Sequence, residues 1–421
     1  MNFSLHQTTD HKKNKFNFLL LLTLLLLVLL FISCSSTKRF TEESGTISNS
    51  ESNFIRVLIN EKTDELSLNV DSPIILSNVH QKIAKINSGN KILFTKVEDK
   101  LKATISDKTF LSDTFFISSG EEDSILRIDE KKIRGRLKIF TINSQIKVVN
   151  QIGLEDYVKG VITKEMPLGK GNENYEALKA FSICVRTYAL LKISENKSFF
   201  DIYPDTRDQV YGGVDAENPL SNKVVDETRG QILLYNGSPA VIFYHASCGG
   251  YTEDAKNVFS KNDLPYLKSI KDGEQPFCSI APKFYWTEEF PESLFISRLF
   301  DAKLITNKNY SIISLDIKSR FESGRVKELN ISLIDSSQIT KNITLLGNGI
   351  RGIIKTSDGK SILRSTFFDI SLDENNKVII SGKGYGHGVG LCQWGAIGQS
   401  RQGIDYQTIL KHYFPGTKIS N

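Results

Sequence analysis

Cysteine, histidine, methionine and tryptophan are all scarce in this sequence of 421 residues, with five, six, two and two copies. The cysteines Cys34, Cys184, Cys248, Cys278 and Cys392 show no compact pairing, so no zinc motif is written in their spacing. Residues 54–150 hold no histidine, cysteine or carboxylate cluster of a catalytic type. His80 stands alone there and reads as surface or core filler. Excess charge of one sign is also missing. The formal net charge is +5, and the leader contributes two of those charges through Lys12, Lys13 and Lys15 against Asp10. The remainder is too small to argue for a nucleic-acid partner. No internal repeat is present. A hydrophobic content of 40% with 24% charged residues excludes wholesale disorder and allows a large core. The length suits two or three units or one elaborated domain.

The long apolar run lies at residues 18–32, broken only by Thr23 and preceded by Lys12, Lys13 and Lys15. That is the n-region and h-region of an export signal. It is short for a membrane span, which needs about 20 apolar residues. It ends in Leu30-Phe31-Ile32-Ser33-Cys34, which resembles a bacterial lipobox with Phe31 where leucine is usual. The pattern predicts a lipoprotein-type signal peptide over residues 1–33 and lipidation of Cys34. A Ser-, Thr- and Glu-rich tether then runs to residue 52. An uncleaved N-terminal anchor is the alternative. Either reading predicts an exported, membrane-anchored chain facing the periplasm or cell wall.

From residue 53 the pattern changes. Ile55, Val57 and Ile59 alternate with Arg56, Leu58 and Asn60, as in a strand. Further short strands are predicted over residues 66–70, 92–97, 101–105, 115–118, 125–128, 133–142 and 146–150. Residues 53–149 are therefore a strand-rich N-terminal part, which supports the remainder or binds a ligand. A region from 150 to 421 follows. It opens with two helices separated by Pro167. In the first, Leu154, Tyr157, Val158, Val161 and Ile162 share one apolar face. Glu165 lies about 20° from Leu154 around that helix. One carboxylate thus points where the apolar residues point, at the negative end of the helix dipole. Burial and the dipole both push its pKa up, toward that of a general acid. A structural ion pair is the competing reading. Glu155, Asp156, Lys159, Thr163 and Lys164 fall on the predicted solvent side. The second helix starts near Asn172 or Asn174. Leu178, Phe181, Val185 and Tyr188 form one apolar stripe, and Ala177, Ala180, Cys184 and Leu191 another. Such a helix is central and buried. Arg186 within it is predicted to pair with a buried carboxylate or carbonyl. The fold class that follows is α+β, strand-rich, with a central buried helix pair.

Two further stretches carry chemistry. Residues 231–235 and 240–247 read as strands around an Asn236-Gly237 turn. The second delivers His245, Ser247 and Cys248, then Gly249 and Gly250, a glycine pair that lets the backbone approach a ligand or turn sharply. Three readings compete there: a Cys–His nucleophile, a metal site, and a structural role with Cys248 bridged or buried. Positions i and i+3 of a strand face opposite ways, which counts against a Cys248–His245 dyad. In an exported protein, Cys248–Cys278 is the predicted disulfide. A zinc site from His245, Cys248, Cys278 and Cys392 lacks supporting spacing, and no metal is predicted. Residues 283–380 return to alternating strands, read as sheet extension, with one helix over 292–300. The last motif, GKGYGHGVGLCQWGAIGQ at 382–399, invites a dinucleotide reading. That reading needs a βαβ unit with an acid about 20 residues on, which the remaining sequence does not supply. The motif reads instead as a Gly-rich loop that holds backbone beside a groove, presenting His387, Gln393 and Trp394. His387, flanked by glycines, is predicted to be more exposed than a core histidine. His412 reads as packing.

LEDYVKGVITKEMP, EALKAFSICVRTYAL, DQVYGG, YHASCGGYTEDAKNVF and GKGYGHGVGLCQWGAIGQ, in this order, resemble the SpoIID/LytB family. This is the stage II sporulation protein D group of cell-wall proteins, and the resemblance covers about residues 54–421. It implies a lytic transglycosylase that cuts the β-1,4 bond between N-acetylmuramic acid and N-acetylglucosamine and leaves 1,6-anhydro ends. One carboxyl suffices, first as acid and then as base, and the family motif places it at Glu165. Glycosidases that use water or an enzyme nucleophile usually need two carboxylates. For that route Asp205, Asp208 and Glu253 are the candidate second groups. Gln209, Tyr211, Ser247, Gly249, Gly250, His387, Gln393 and Trp394 become candidate sugar contacts. Some members carry zinc on two cysteines just before the QVY triplet; here Tyr203 and Asp208 stand in their place, so that site is not expected. No cofactor is implied. The implied partners are peptidoglycan strands and, in the alternative where the chain is a non-catalytic amidase enhancer, a cell-wall amidase.

Overall fold

Phe54–Thr63 forms an edge strand whose Ile55 and Val57 are fully buried. It pairs antiparallel with Gln145–Gly153. Arg136–Ile142, Thr114–Ser119, Ile74–Ser77 and Lys82–Ile86 complete a six-stranded sheet. A second sheet is built from Glu65–Asn69, Lys91–Val97, Lys100–Ile105 and Lys108–Ser112. Inward residues of both sheets, among them Leu76, Phe94, Leu101, Phe115 and Ile139, make one core. The Phe94 and Phe115 rings lie 5.7 Å apart. Each such side chain contributes about 2 kcal/mol by leaving water. The computed structural model describes residues 54–121, 125–195, 199–259 and 263–420. The predicted signal peptide, Cys34 and the tether lie outside them. Among the described residues no helix is long and apolar enough to cross a membrane.

One predicted strand is two. Residues 133–142 divide into Lys131–Arg134 and Arg136–Ile142, which belong to different sheets. Gly135 between them has φ +75°, and a Cβ there would come within 2.1 Å of the Gln151 carbonyl oxygen. Only glycine makes that corner.

Gln145–Gly153 runs directly into helix α1, Leu154–Glu165. The other helices are α2 (Tyr175–Ser194), α3 (Pro219–Glu227), α4 (Ala255–Val258), α5 (Glu292–Asp301), α6 (Gly349–Ile354), α7 (Gln393–Arg401) and α8 (Tyr406–Tyr413). Glu155 and Asp156 favour the positive end of α1. Pro167 disfavours helical backbone at Met166, which is extended at φ −135°, ψ 133°. Leu154, Tyr157, Val158, Val161 and Ile162 are buried, as their spacing predicts. α2 is buried on nearly every side, from Ala177 to Ala189, and packs on α1, α3, α7 and α8. The protein is thus α+β and strand-rich, with a buried helix pair at the centre of its largest core.

Arg186 is 1% exposed on α2. Its Nε and Nη2 reach Glu155 Oε1 and Oε2 at 2.9 and 2.7 Å, and Nη1 donates to the Gln231 carbonyl at 2.9 Å. Glu155 therefore does not face solvent as helical phase predicts. α2 and the segment after α3 cover that flank of α1, and the Gly230 N–H also donates to Glu155.

Residues 285–383 are more than a sheet extension. Tyr285–Pro291, Lys377–Lys383 and Phe368–Leu372 form one three-stranded sheet. Tyr310–Arg320, Val326–Asp335 and Thr340–Leu346 form another. With α5 and α6 they close a core of their own around Trp286, Phe295, Leu329, Leu333 and Phe368.

The guanidinium on α2 leads to a test of this packing. Arg186→Met should lower stability by about 3 kcal/mol, since it strands the Glu155 carboxylate and two carbonyls. Urea unfolding would read this as a lower midpoint with an unchanged slope. A midpoint equal to wild type would show that the pair does not hold the helices together.

Candidate active site

Glu165 closes α1 half-buried, and three chain segments meet at it. The Val210 N–H donates to its Oε1 at 2.7 Å. Gln393 Nε2, from the first turn of α7, donates to its carbonyl oxygen at 2.8 Å. Burial raises the carboxyl's pKa above the ordinary range, and the bonds from Val210 and Gln393 offset only part of that. Arg186 is spent on Glu155, and among the described residues no cation lies within ion-pair distance of Glu165. The carboxylate charge acts on Tyr244, whose hydroxyl burial already raises. Hydrogen bonding to the Gln209 side chain offsets part of that rise. A carboxyl raised by burial, with no cation paired to it among the described residues, can hold a proton, give it up and take it back.

Gln393 is followed by Trp394, which with Ala246, Ser247, Ala281, Lys283 and Tyr385 lines a cavity of about 250 Å³; Glu165 is not one of its lining residues. Trp394 is half-buried and anchored by its N–H to the Ala246 carbonyl at 3.0 Å. Ser247 and Tyr385 exchange two backbone bonds of 2.9 and 2.7 Å, while the buried Ser247 Oγ lies beside the Cys278 thiol. Gln393 thus contacts Glu165, and Ser247 and Trp394 share the wall of one cavity. A larger cavity, about 730 Å³ between Phe54, Arg56, Arg136, Gln151 and Asp201, contains none of the predicted site residues. The smaller one holds two of the predicted residues, Ser247 and Trp394, the second following the Gln393 that bonds Glu165.

Other predicted contacts take different places. Gln209 is fully buried, and its Oε1 accepts the Tyr157 hydroxyl at 3.0 Å. It faces the protein interior and not a free sugar surface. Tyr211 stacks on Tyr157 at 5.3 Å and donates to Asn150 Oδ1 at 3.1 Å. Its ring packs tightly against Gly160, where a Cβ would come within 2.6 Å. Gly249 and Gly250, at φ +73° and +110°, bring the backbone against residues 383–384 and Pro276, so the close approach serves the chain itself. The predicted strand 240–247 shrinks to Tyr244–His245, paired in parallel with Leu391–Cys392. The alternation argument therefore does not reach Cys248.

His387 is not an exposed loop histidine. Its ring sits 5.2 Å from Phe259, 5.5 Å from His245 and 6.2 Å from Phe243. Its Nδ1 accepts the Val389 N–H at 3.0 Å. Burial, with Arg351 and Arg325 nearby, pulls its pKa down to about 3. Cys248 and Cys278 do meet, but with their sulfurs 3.4 Å apart, and Cys184, Cys248, Cys278 and Cys392 are all free. The predicted disulfide is therefore replaced by neighbouring thiols, since an S–S bond is about 2.05 Å long. The candidate second carboxylates are held elsewhere. Asp208 accepts from Tyr188 and Tyr203, Asp205 pairs with Arg207, and Glu253 accepts from Asn257 and Ser323. Sequence reading missed Tyr244 and Tyr385, although both sit inside motifs it singled out.

The histidine has a measurable consequence. In the unfolded chain it titrates near the ordinary value of about 6.5. In the folded state it stays neutral down to about pH 3. Its contribution to stability is complete above about pH 6.5 and is lost as pH falls toward 3. Over that window His387→Gln should flatten the fall of unfolding free energy by up to about 1.4 kcal/mol per pH unit. An unchanged slope in pH-dependent urea unfolding would place the ring in solvent.

A family model described as "Stage II sporulation protein" matches residues 142–235, which contain α1, α2 and Glu165. A domain of unknown function matches residues 279–390, the segment with its own core. An uncharacterised protein of Brachyspira hyodysenteriae is 31% identical over 370 residues, covering 87% of this chain and 93% of that one. The amidase enhancer of Bacillus subtilis is 33% identical over 299 residues, covering 63% of this chain and 40% of the enhancer. Stage II sporulation protein D of Bacillus subtilis is 28% identical over 289 residues, covering 65% and 76%. With its motifs in order and similarity extending along most of its length, the chain belongs to the SpoIID/LytB family.

Proposed function

We propose that this protein acts in the bacterial cell wall as a lytic transglycosylase on peptidoglycan, with Glu165 as its acid and base. The observation that carries the reading is a single carboxyl raised by burial, with no cation at ion-pair distance among the described residues, on a residue bonded to the Gln393 that precedes the cavity-lining Trp394. Glu165 protonates the glycosidic oxygen between N-acetylmuramic acid and N-acetylglucosamine, and that C–O bond breaks. The C6 hydroxyl of the same muramic acid attacks C1 and passes its proton to the Glu165 carboxylate. The product is a 1,6-anhydro end and the acid is restored, so no water and no second carboxylate are required. Trp394 offers a face for a sugar ring. Export and membrane attachment through Cys34 belong to this proposal, as does a place for the active groove on the wall side. The second reading is a wall-binding modifier that enhances an amidase, favoured by the relative of that name.

Purified peptidoglycan, with and without its stem peptides, would be incubated with wild-type protein and with Glu165→Gln, and the products weighed. The expected outcome is anhydro-muramic ends from wild type and at least a thousandfold less from the variant, with its fold intact. Reducing ends would mean hydrolysis by a second carboxylate. No product from a protein that binds glycan would favour the amidase-enhancing reading. The acid must enter the reaction protonated. kcat/KM should therefore fall as pH rises through the Glu165 pKa, at a pH above that of an ordinary glutamate near 4.3. A profile flat across that range would remove Glu165 as the acid.

A further inference from the structure

Three of the protein's few cysteines converge with one aspartate beside the cavity. Cys248 follows the short strand Tyr244–His245, Cys278 sits in the turn Phe277–Ile280, and Cys392 caps α7. Asp272 lies in the loop between the first two. The three sulfurs and one Asp272 oxygen all lie within 4.8 Å of one another, and all four residues are fully buried. The residues are separated by 24, 6 and 114 positions, so the grouping exists only in the fold. We infer that these four side chains form a structural site for one zinc ion, with Cys248, Cys278, Cys392 and Asp272 as its ligands.

Geometry favours a metal over a disulfide. The Cys248 and Cys278 sulfurs are 3.4 Å apart. Two sulfurs bound about 2.3 Å from a tetrahedral centre lie about 3.7 Å apart, whereas a disulfide needs about 2.05 Å. A disulfide would also leave the third cysteine and the buried carboxyl beside it unexplained. Three soft sulfurs and one oxygen suit Zn²⁺ and not Mg²⁺ or Ca²⁺.

The surroundings are those of anionic ligands. Cys392 Sγ accepts the N–H groups of Cys248 at 3.1 Å and Gly395 at 3.3 Å, at the positive end of α7. The Asp272 oxygens accept the Cys278 N–H at 2.8 Å and the Tyr413 hydroxyl at 2.5 Å, the outer-shell bonds that orient a ligating carboxylate. Arg325, 1% exposed, donates to the carbonyls of Cys248 and Tyr251 at 2.6 and 2.7 Å. Among the described residues it forms no ion pair within 4 Å, and its buried charge is shared between the Cys248, Cys392 and Cys278 thiols and the nearby Glu253 carboxylate. Three thiolates and a carboxylate around Zn²⁺ leave two negative charges, which this guanidinium half offsets. Binding replaces three thiol protons with the metal and involves no oxidation or reduction. All four positions are filled by protein and none faces solvent, which makes the site structural and not catalytic.

Its effect on the groove rests on the reading of Glu165 above. The ion would pin the start of α7, hence Gln393 on Glu165 and Trp394 on the cavity. The metal content itself is independent of that reading.

The test uses the full chain, purified without added metal or chelator. Elemental analysis should find about one zinc per chain. Titration with an organic mercurial should release that zinc as the site's thiols are modified. Co²⁺ in its place should give a thiolate charge-transfer band. Cys392→Ser, which keeps a capping oxygen at α7, and Asp272→Asn should each lower zinc affinity by tenfold or more. Cys184→Ser should retain full zinc, because Cys184 lies on α2 outside the cluster. A wild-type chain without zinc, which takes up no Co²⁺ and yields a Cys248–Cys278 disulfide peptide, would overturn the inference. So would full zinc retention in Cys392→Ser. The proposed glycan cleavage can fail while zinc binding stands, and the reverse, so the two readings are separable.

Discussion

A twenty-residue helix with almost no side facing water has to be enclosed, and most of this protein can be read as the enclosure of α2. Its apolar side chains leave water only if neighbours arrive from every direction, each large one contributing about 2 kcal/mol when they do. α1, α3, α7 and α8 supply those neighbours. The ends of two of them, Glu165 on α1 and Gln393 on α7, come from positions 228 residues apart and meet as a consequence. The site is therefore a by-product of burying one helix, held with the rigidity of a close-packed core.

The same enclosure forces a cation indoors. A buried guanidinium must be paired, and the choice of partner decides the chemistry. Arg186 takes Glu155 and two carbonyls. Glu165, ten residues further along the same helix, is left with one backbone N–H on its carboxyl and a raised pKa. Had the two glutamates exchanged partners, the acid would have been pulled below its ordinary value and lost as a proton donor at neutral pH. The state of the Glu165 carboxyl here is a matter of where one positive charge is placed. Arg325 presents a related problem, as a buried cation beside clustered thiols.

Much of this was legible in the residues. Period-2 alternation located most strands of the N-terminal sheets, and the 3.6-residue stripe located α1 and its carboxylate. The turn at Asn236-Gly237 forms with both residues at positive φ, as that pair implies. Where the reading failed, the cause is mostly a partner distant in sequence. Gly135 splits a strand because the Gln151 carbonyl occupies the corner. Glu155 lies on the predicted solvent face, but a later segment covers it. His387 has glycine neighbours along the chain and aromatic ones in space. Gln209 and Tyr211 sit in a loop of polar composition and are drawn inward by Tyr157.

The sequence by itself determined the α+β class, the family, the buried helix pair and the identity of the candidate acid. These depend on local periodicity and on contiguous motifs, which a linear string preserves. Only the tertiary structure decided which carboxylate Arg186 neutralises, which motif residues line a cavity, and that three isolated cysteines and an aspartate share one small volume. Those outcomes depend on distances between segments up to 228 residues apart, and short-range spacing carries no information about them.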